Sequence, residues 1–114
     1  SSAKGEFKAD IEDLVLNLTD SRGKEKLMKL SFSIKSSSEN IAAIVEEYKP
    51  EIIDVVISQI SSRSSEELLT VGGKNLLRDE LLNDINNAIN TAAPEEKIAR
   101  NSVKAILFTT FVIK

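Results

Sequence analysis

The chain has 114 residues, 41% hydrophobic, 29% charged and 4% aromatic, with a formal net charge of −3. One domain of this length buries roughly 65% of the surface its unfolded chain exposes, and a second would not fit. Neither Cys nor His is present, which removes the disulfide scaffold, the thiolate nucleophile, the cysteine zinc site, the imidazole ligand and the usual general base, and with them most hydrolase and metalloenzyme readings.

Residues 1–40 carry seven acidic and seven basic side chains, and residues 41–114 carry eleven and eight. That balance forms no basic stripe for phosphates, so no nucleic-acid partner is expected. No run approaches the ~20 apolar residues of a membrane helix. Residues 1–9, "SSAKGEFKA", are small, polar and charged, and read as a linker or expression remnant without structure. They lack an initiator Met, so the chain is expected to be a fragment of a longer protein.

From Asp10 the pattern has period two, with Leu14, Leu16 and Leu18 on one face and Asp13, Val15 and Asn17 on the other. "TDSRGK" (19–24) has the Asp, Ser and Gly of a turn. The next segment alternates more cleanly, with Met28, Leu30, Phe32 and Ile34 against Lys29, Ser31, Ser33 and Lys35. Two such strands predict an antiparallel hairpin with one apolar face. The period then becomes helical. Ser36 and Glu39 have the spacing of a capping box ahead of Ile41, Ile44, Val45 and Tyr48. Pro50 stops or bends that helix and suits the start of another, whose stripe is Ile52, Ile53, Val56, Ile57 and Ile60. Ser64 and Glu67 repeat the capping spacing before a short third helix through Leu68 and Leu69. After Gly72 and Gly73 a longer helix is expected to about Asn90, with Leu77, Leu81, Leu82, Ile85, Ala88 and Ile89 inward, and Pro94 ends the helical part. Val103 to Ile113 returns to strand. The order strand, strand, helices, strand predicts an α+β domain, a small sheet covered by helices on one face, spanning residues 10–114.

Groups that could carry chemistry are few. "VGGKN" (71–75) resembles the end of a phosphate loop, but Leu68 stands where its first Gly belongs and Asn75 where its Ser or Thr would hold magnesium. The carboxylates Glu46/Glu47, Glu66/Glu67, Asp79/Glu80 and Glu95/Glu96 are sequence neighbours, which on a helix point about 100° apart rather than converging. They read as solvated helix faces rather than an acid/base pair. The serines at 36–38 and 61–65 have no His to activate them and suit caps and turns. "NLT" (17–19) matches a glycosylation sequon inside an expected strand. No catalytic, cofactor-binding or metal-binding residues are assigned.

The segment "ISSRSSEELLTVGGKNLLRDELLNDIN" (60–86) resembles the central signature of the FliL family of bacterial flagellar basal-body proteins, with its leucine, small residues, "EEL", Thr, "GK" and "LRxELLxxIN". The closing "ILFTTFVIK" resembles the family's ending, and "LVLNLTD" with its "GK" turn resembles the first hairpin. "YKPEIIDVVISQIS" is similar to a family helix that starts around a proline and an "IRD"-like run, here Ile53–Asp54 without the Arg. The resemblance covers residues 10–114 in order. It implies a stomatin-like (SPFH) fold and the periplasmic domain of a single-pass inner-membrane protein, whose anchor is missing from this chain. It implies further that the protein self-associates into rings and supports stator units of the flagellar motor, promoting motility, and it brings no catalytic residues.

The residues alone agree in kind, since a domain without triad, metal ligands or basic groove acts through surfaces. On the last strand Val103, Ala105, Leu107, Thr109, Phe111 and Ile113 form one alternating set, and Lys104, Ile106, Phe108, Thr110, Val112 and Lys114 the other. If helices cover one face, Ile106, Phe108 and Val112, joined by Val15 and Leu27, form an exposed apolar patch for self-association or a partner. The plainer alternative is a central strand whose second face is shielded by a loop or the N-terminal segment, because strands buried on both faces read as continuous apolar runs. A different class of function, a periplasmic small-molecule or lipid-binding module, remains beside the motor reading.

Overall fold

The computed structural model describes residues 7–114. It opens with two long strands, β1 (Phe7–Thr19) and β2 (Glu25–Ser36), joined by the expected turn. Asp20 closes that turn: its Oδ1 accepts from the backbone N–H groups of Arg22 and Lys24 at 2.9 and 2.8 Å, while Gly23 takes φ +81°, which favours glycine. β1 begins at Phe7, so residues 7–9 of the stretch read as linker belong to the sheet, with Ala9 buried opposite Ile34. Residues 1–6 lie outside the described residues.

Four helices follow, α1 (Ile41–Glu47), α2 (Lys49–Ser61), α3 (Ser65–Leu68) and α4 (Val71–Ala92), before the closing strand β3 (Val103–Ile113). The sheet order is β1-β2-β3, with both outer strands antiparallel to β2. β2 is therefore the central strand and β3 an edge, which overturns the alternative of a central closing strand. The architecture is α+β, as the element order predicted.

The caps follow local chemistry more than spacing. Ser64 Oγ accepts from the Glu67 N–H at 3.2 Å and opens α3 as expected. Ser36 does not cap α1: it ends β2 and accepts from the Ser38 N–H at 3.0 Å, while Asn40 stands at the helix start without a side-chain cap bond. Pro50 lies in the first turn of α2, where its missing N–H leaves no hydrogen bond unmade. α4 starts before its glycines rather than after them, because Thr70 Oγ1 accepts from the Gly73 N–H at 2.9 Å.

The core lies between one face of the sheet and the helices. Met28, Leu30, Phe32 and Ile34 of β2 are all fully buried, against Ile52, Val56 and Ile60 of α2 and Leu77, Leu81, Ile85 and Ile89 of α4. Leu82 and Ala88, expected inside, are only half-buried, and Ile57 is 46% exposed. The strict four-residue step of the α4 stripe, 77 to 89, drives a single narrow ridge into the sheet.

Candidate interaction surface

β3 decides which apolar side chains face outward, and it does not alternate regularly. Its pairing with β2 shifts register twice, between Lys35 and Ser36 and between Ser31 and Phe32. Ser31 opposes Thr110 and Phe32 opposes Phe108, which leaves Thr109 as an extra residue in a bulge. Before the bulge Ile106 and Phe108 lie opposite Ile34 and Phe32, on the core side; after it Phe111 and Ile113 lie opposite Leu30 and Met28, also on the core side. Each extra residue moves the following side chains to the other face.

The patch expected from Ile106, Phe108 and Val112 is therefore split. Ile106 is 1% exposed within the core, and Phe108 is half-buried against it. Only Val112 stands outside, opposite Lys29 and 43% exposed. Val15 joins it across Lys29, and Leu27 lies two residues along β2, so this part of the expected side is assembled. Leu107, expected on the inner side, is exposed on the outer one opposite Ser33. The signal available for this was the adjacent Thr109–Thr110, two polar residues breaking the alternation of an otherwise apolar strand.

The middle of the outer face is polar but satisfied. Ser31 Oγ accepts from the Asp13 N–H at 2.9 Å, and Ser33 Oγ donates to Asp10 Oδ1 at 2.6 Å. Asp13 sits in a second bulge, between Ile11 and Leu14, with φ +62°. Ser31 thus anchors the strained residue that lets β1 return its leucines to the core.

Along the free edge of β3, Phe108 and Phe111 lie 5.1 Å apart between ring centres. Arg78 lies 5.2 Å over Phe108 and Lys74 5.0 Å over Phe111. Both cations come from the first half of α4, in the "GGKNLLR" segment, and neither role was legible from spacing alone. At the start of β3 the Asn86 side chain donates to the Val103 carbonyl at 2.9 Å and accepts from its N–H at 3.0 Å, occupying the place of a neighbouring strand.

The paired carboxylates do not converge. Glu46, Glu47, Glu66, Glu67, Asp79, Glu95 and Glu96 are exposed, whereas Glu80 is half-buried and accepts from Arg63. Arg63 is buried and also lies 3.7 Å from Glu67, tying α3 and α4 to the end of α2. Two carboxyls titrate below the ordinary range. Asp20 is lowered chiefly by the Lys24 backbone N–H, and Glu66 by its own backbone N–H with help from Ser21, whose hydroxyl and N–H reach it at 3.1 and 2.9 Å. Asp20 thereby closes the hairpin turn on itself, and Glu66 fastens that turn to α3 through Ser21.

A family model described as "Flagellar basal body-associated protein FliL" matches residues 9–113. A relative from Aquifex aeolicus (strain VF5) named "Flagellar protein FliL" is 27% identical over 100 residues, covering 88% of this chain and 56% of the relative. The chain thus spans little more than half the length of that relative. With the match running from the first strand to the last, the chain belongs to the FliL family of flagellar basal-body-associated proteins.

Proposed function

We propose that this chain is the periplasmic domain of a single-pass inner-membrane protein that supports stator units at the flagellar basal body and so promotes motility, by contact rather than by catalysis. The observation that carries this reading is the family match over residues 9–113. The arrangement of a three-stranded sheet with helices on one face is compatible with the SPFH-like fold that the family resemblance implies. The domain's copies meet, in this reading, along the open edge of β3, with Val112 on its outer side and the Phe108–Phe111 pair behind it, to build a ring of full-length subunits. Anchoring in a membrane plane raises the effective concentration and strengthens contacts that are weak in solution.

Deletion of the gene for the full-length protein tests the motor role. Torque under load and swarming should fall, and unchanged values of both would sink it. Val112→Asp in the full-length protein tests the edge: cross-linked oligomers should disappear while the protein level holds, and an undiminished ladder would remove β3 from the contact.

A further inference from the structure

The helical layer carries a second feature, far from the outer face of the sheet. Between α2 and α4 runs a groove of about 620 Å³. On α2 its lining positions are 51, 54, 55 and 58, and on α4 they are 84, 87, 88, 91 and 92. Both sets follow the i, i+3, i+4, i+7 spacing of one helix face over two turns, about 11 Å of axis. Neither is the core face, which uses Ile52, Val56 and Ile60 on α2 and Leu81, Ile85 and Ile89 on α4. Each helix therefore presents a second stripe to the same groove, and the Gln59 side chain of α2 donates to Asp84 of α4.

The chemistry of that groove is specific. Its apolar lining, Val55, Ala88 and Ala92, is half-buried and small on the α4 side, so a neighbouring backbone can come close. Glu51 and Asp54 stand exposed beside it and Asp84 lies half-buried on the opposite wall. None of these three carboxylates is among the ion pairs of the described residues, which join Arg63 to Glu67 and Glu80 and Lys97 to Glu47. Residues 37–102 as a whole carry twelve acidic against six basic side chains, a net −6, whereas residues 7–36 and 103–114 carry five against eight, a net +3. Negative charge is concentrated on the layer that holds the groove.

We propose that the α2/α4 groove docks an amphipathic helix of a different protein, with small or aliphatic residues on one stripe and Lys or Arg flanking it. Spacing and length fit the helix-in-groove mode of recognition, and the exposed carboxylates of Glu51 and Asp54, outside the ion pairs of the described residues, select the charge. A second copy of this chain does not fit as the donor, because α1, α2, α3 and α4 are each net acidic. The proposal does not depend on the motor reading.

The test uses a fluorescein-labelled 14-residue peptide of Leu, Ala and Lys with that pattern, and the same peptide with Glu for Lys, in fluorescence anisotropy at low ionic strength. The Lys peptide should bind and the Glu peptide should not. The double substitution Glu51→Lys with Asp54→Lys should weaken binding about tenfold or more, and Ala88→Leu, which fills the groove, should weaken it comparably at unchanged melting temperature. Ser58→Leu supplies the steric readout on an exposed position should Ala88→Leu disturb folding. Equal binding of both peptides, no binding of either, an equal loss from Glu95→Lys with Glu96→Lys, or indifference to the steric variants would each overturn the proposal. So would a peptide-free oligomer that the Glu51 and Asp54 reversals dissociate, which would give the groove to a second copy.

Discussion

The two faces of the sheet are made from the same three strands and have opposite economies of contact. On the helix side β2 sets four fully buried apolar side chains against two helix ridges, and none of those four touches water. On the outer side the same strand offers Leu27, Lys29, Ser31, Ser33 and Lys35, with hydroxyls bonded to β1 and with Val15 and Val112 exposed. Burial of large apolar side chains contributes about 1.5–3 kcal/mol each, and a net hydrogen bond about 1. Stability therefore resides on one face, and the other is free to meet a neighbour at little cost to folding.

The largest test of that contrast is a pair of truncations. Phe32→Ala removes a fully buried ring and should destabilise by about 3–5 kcal/mol. Val112→Ser, on the outer face, should stay within about 0.5 kcal/mol. Urea unfolding followed by circular dichroism measures both. Similar losses at the two sites would mean that the outer face is packed as well.

The same contrast of packed and open recurs within one dipeptide. A Cβ on Gly73 would fall onto the backbone carbonyl of Glu67 and beside Thr70 Oγ1, whereas Gly72 has nothing within 4 Å. Gly73→Ala should cost about 2–3 kcal/mol, because the carbonyl belongs to α3 and cannot swing aside as a side chain would. Gly72→Ala should instead stabilise by about 0.5–1 kcal/mol, since alanine suits an open helical position better. Equal effects from the two substitutions would show that α3 and α4 are not held as tightly at this corner.

β2 and β3 show what the sequence made legible. β2 is a central strand with regular pairing to β1 on both sides of one bulge, so its alternation could be read residue by residue. β3 has the same length class and more apolar residues, but two register shifts exchange its faces, and a bulge leaves no mark in hydrophobic periodicity beyond the Thr109–Thr110 interruption. Ile106 and Phe108 were therefore expected outside and lie inside. The helices were legible wherever apolar spacing set them, as for Ile52, Val56 and Ile60, and less so where a cap did, as for Thr70. The α2/α4 groove could not be read at all, because its stripe is polar, small and two turns long, the composition that ordinarily marks a solvated face.

A middle-sized effect belongs to the outer face itself. Ser31→Ala removes the acceptor for the Asp13 N–H, at the one β1 residue held at positive φ. The loss should be about 1 kcal/mol, between the core and surface values above. Hydrogen exchange at Asp13 should accelerate more than at Leu16. Unchanged exchange would mean that the bulge is held by the pairing on either side of it.

The smallest effect is the dependence on acid. Asp20 and Glu66 both have folded-state acidities stronger than ordinary, through N–H donors at Lys24 for the first and at Glu66 itself and Ser21 for the second. A lowered carboxyl contributes stability that is full above its unfolded pKa and disappears as pH falls through the folded one. The turn closed by Asp20 and the Ser21–Glu66 link from that turn to α3 should accordingly loosen as pH falls below about 4, the ordinary range of carboxylate pKa values. Glu66 is exposed and Asp20 no more than half-buried, so the shift in melting temperature should be slight, and Glu66→Gln should flatten it by removing one of the two titrations. Because Ser21 supplies part of the hydrogen bonding to Glu66, Ser21→Ala should reproduce part of that flattening while leaving the Asp20 contribution in place. Its backbone N–H still reaches the carboxylate, so the effect of Ser21→Ala should be smaller than that of Glu66→Gln, and the reverse order would place the coupling elsewhere.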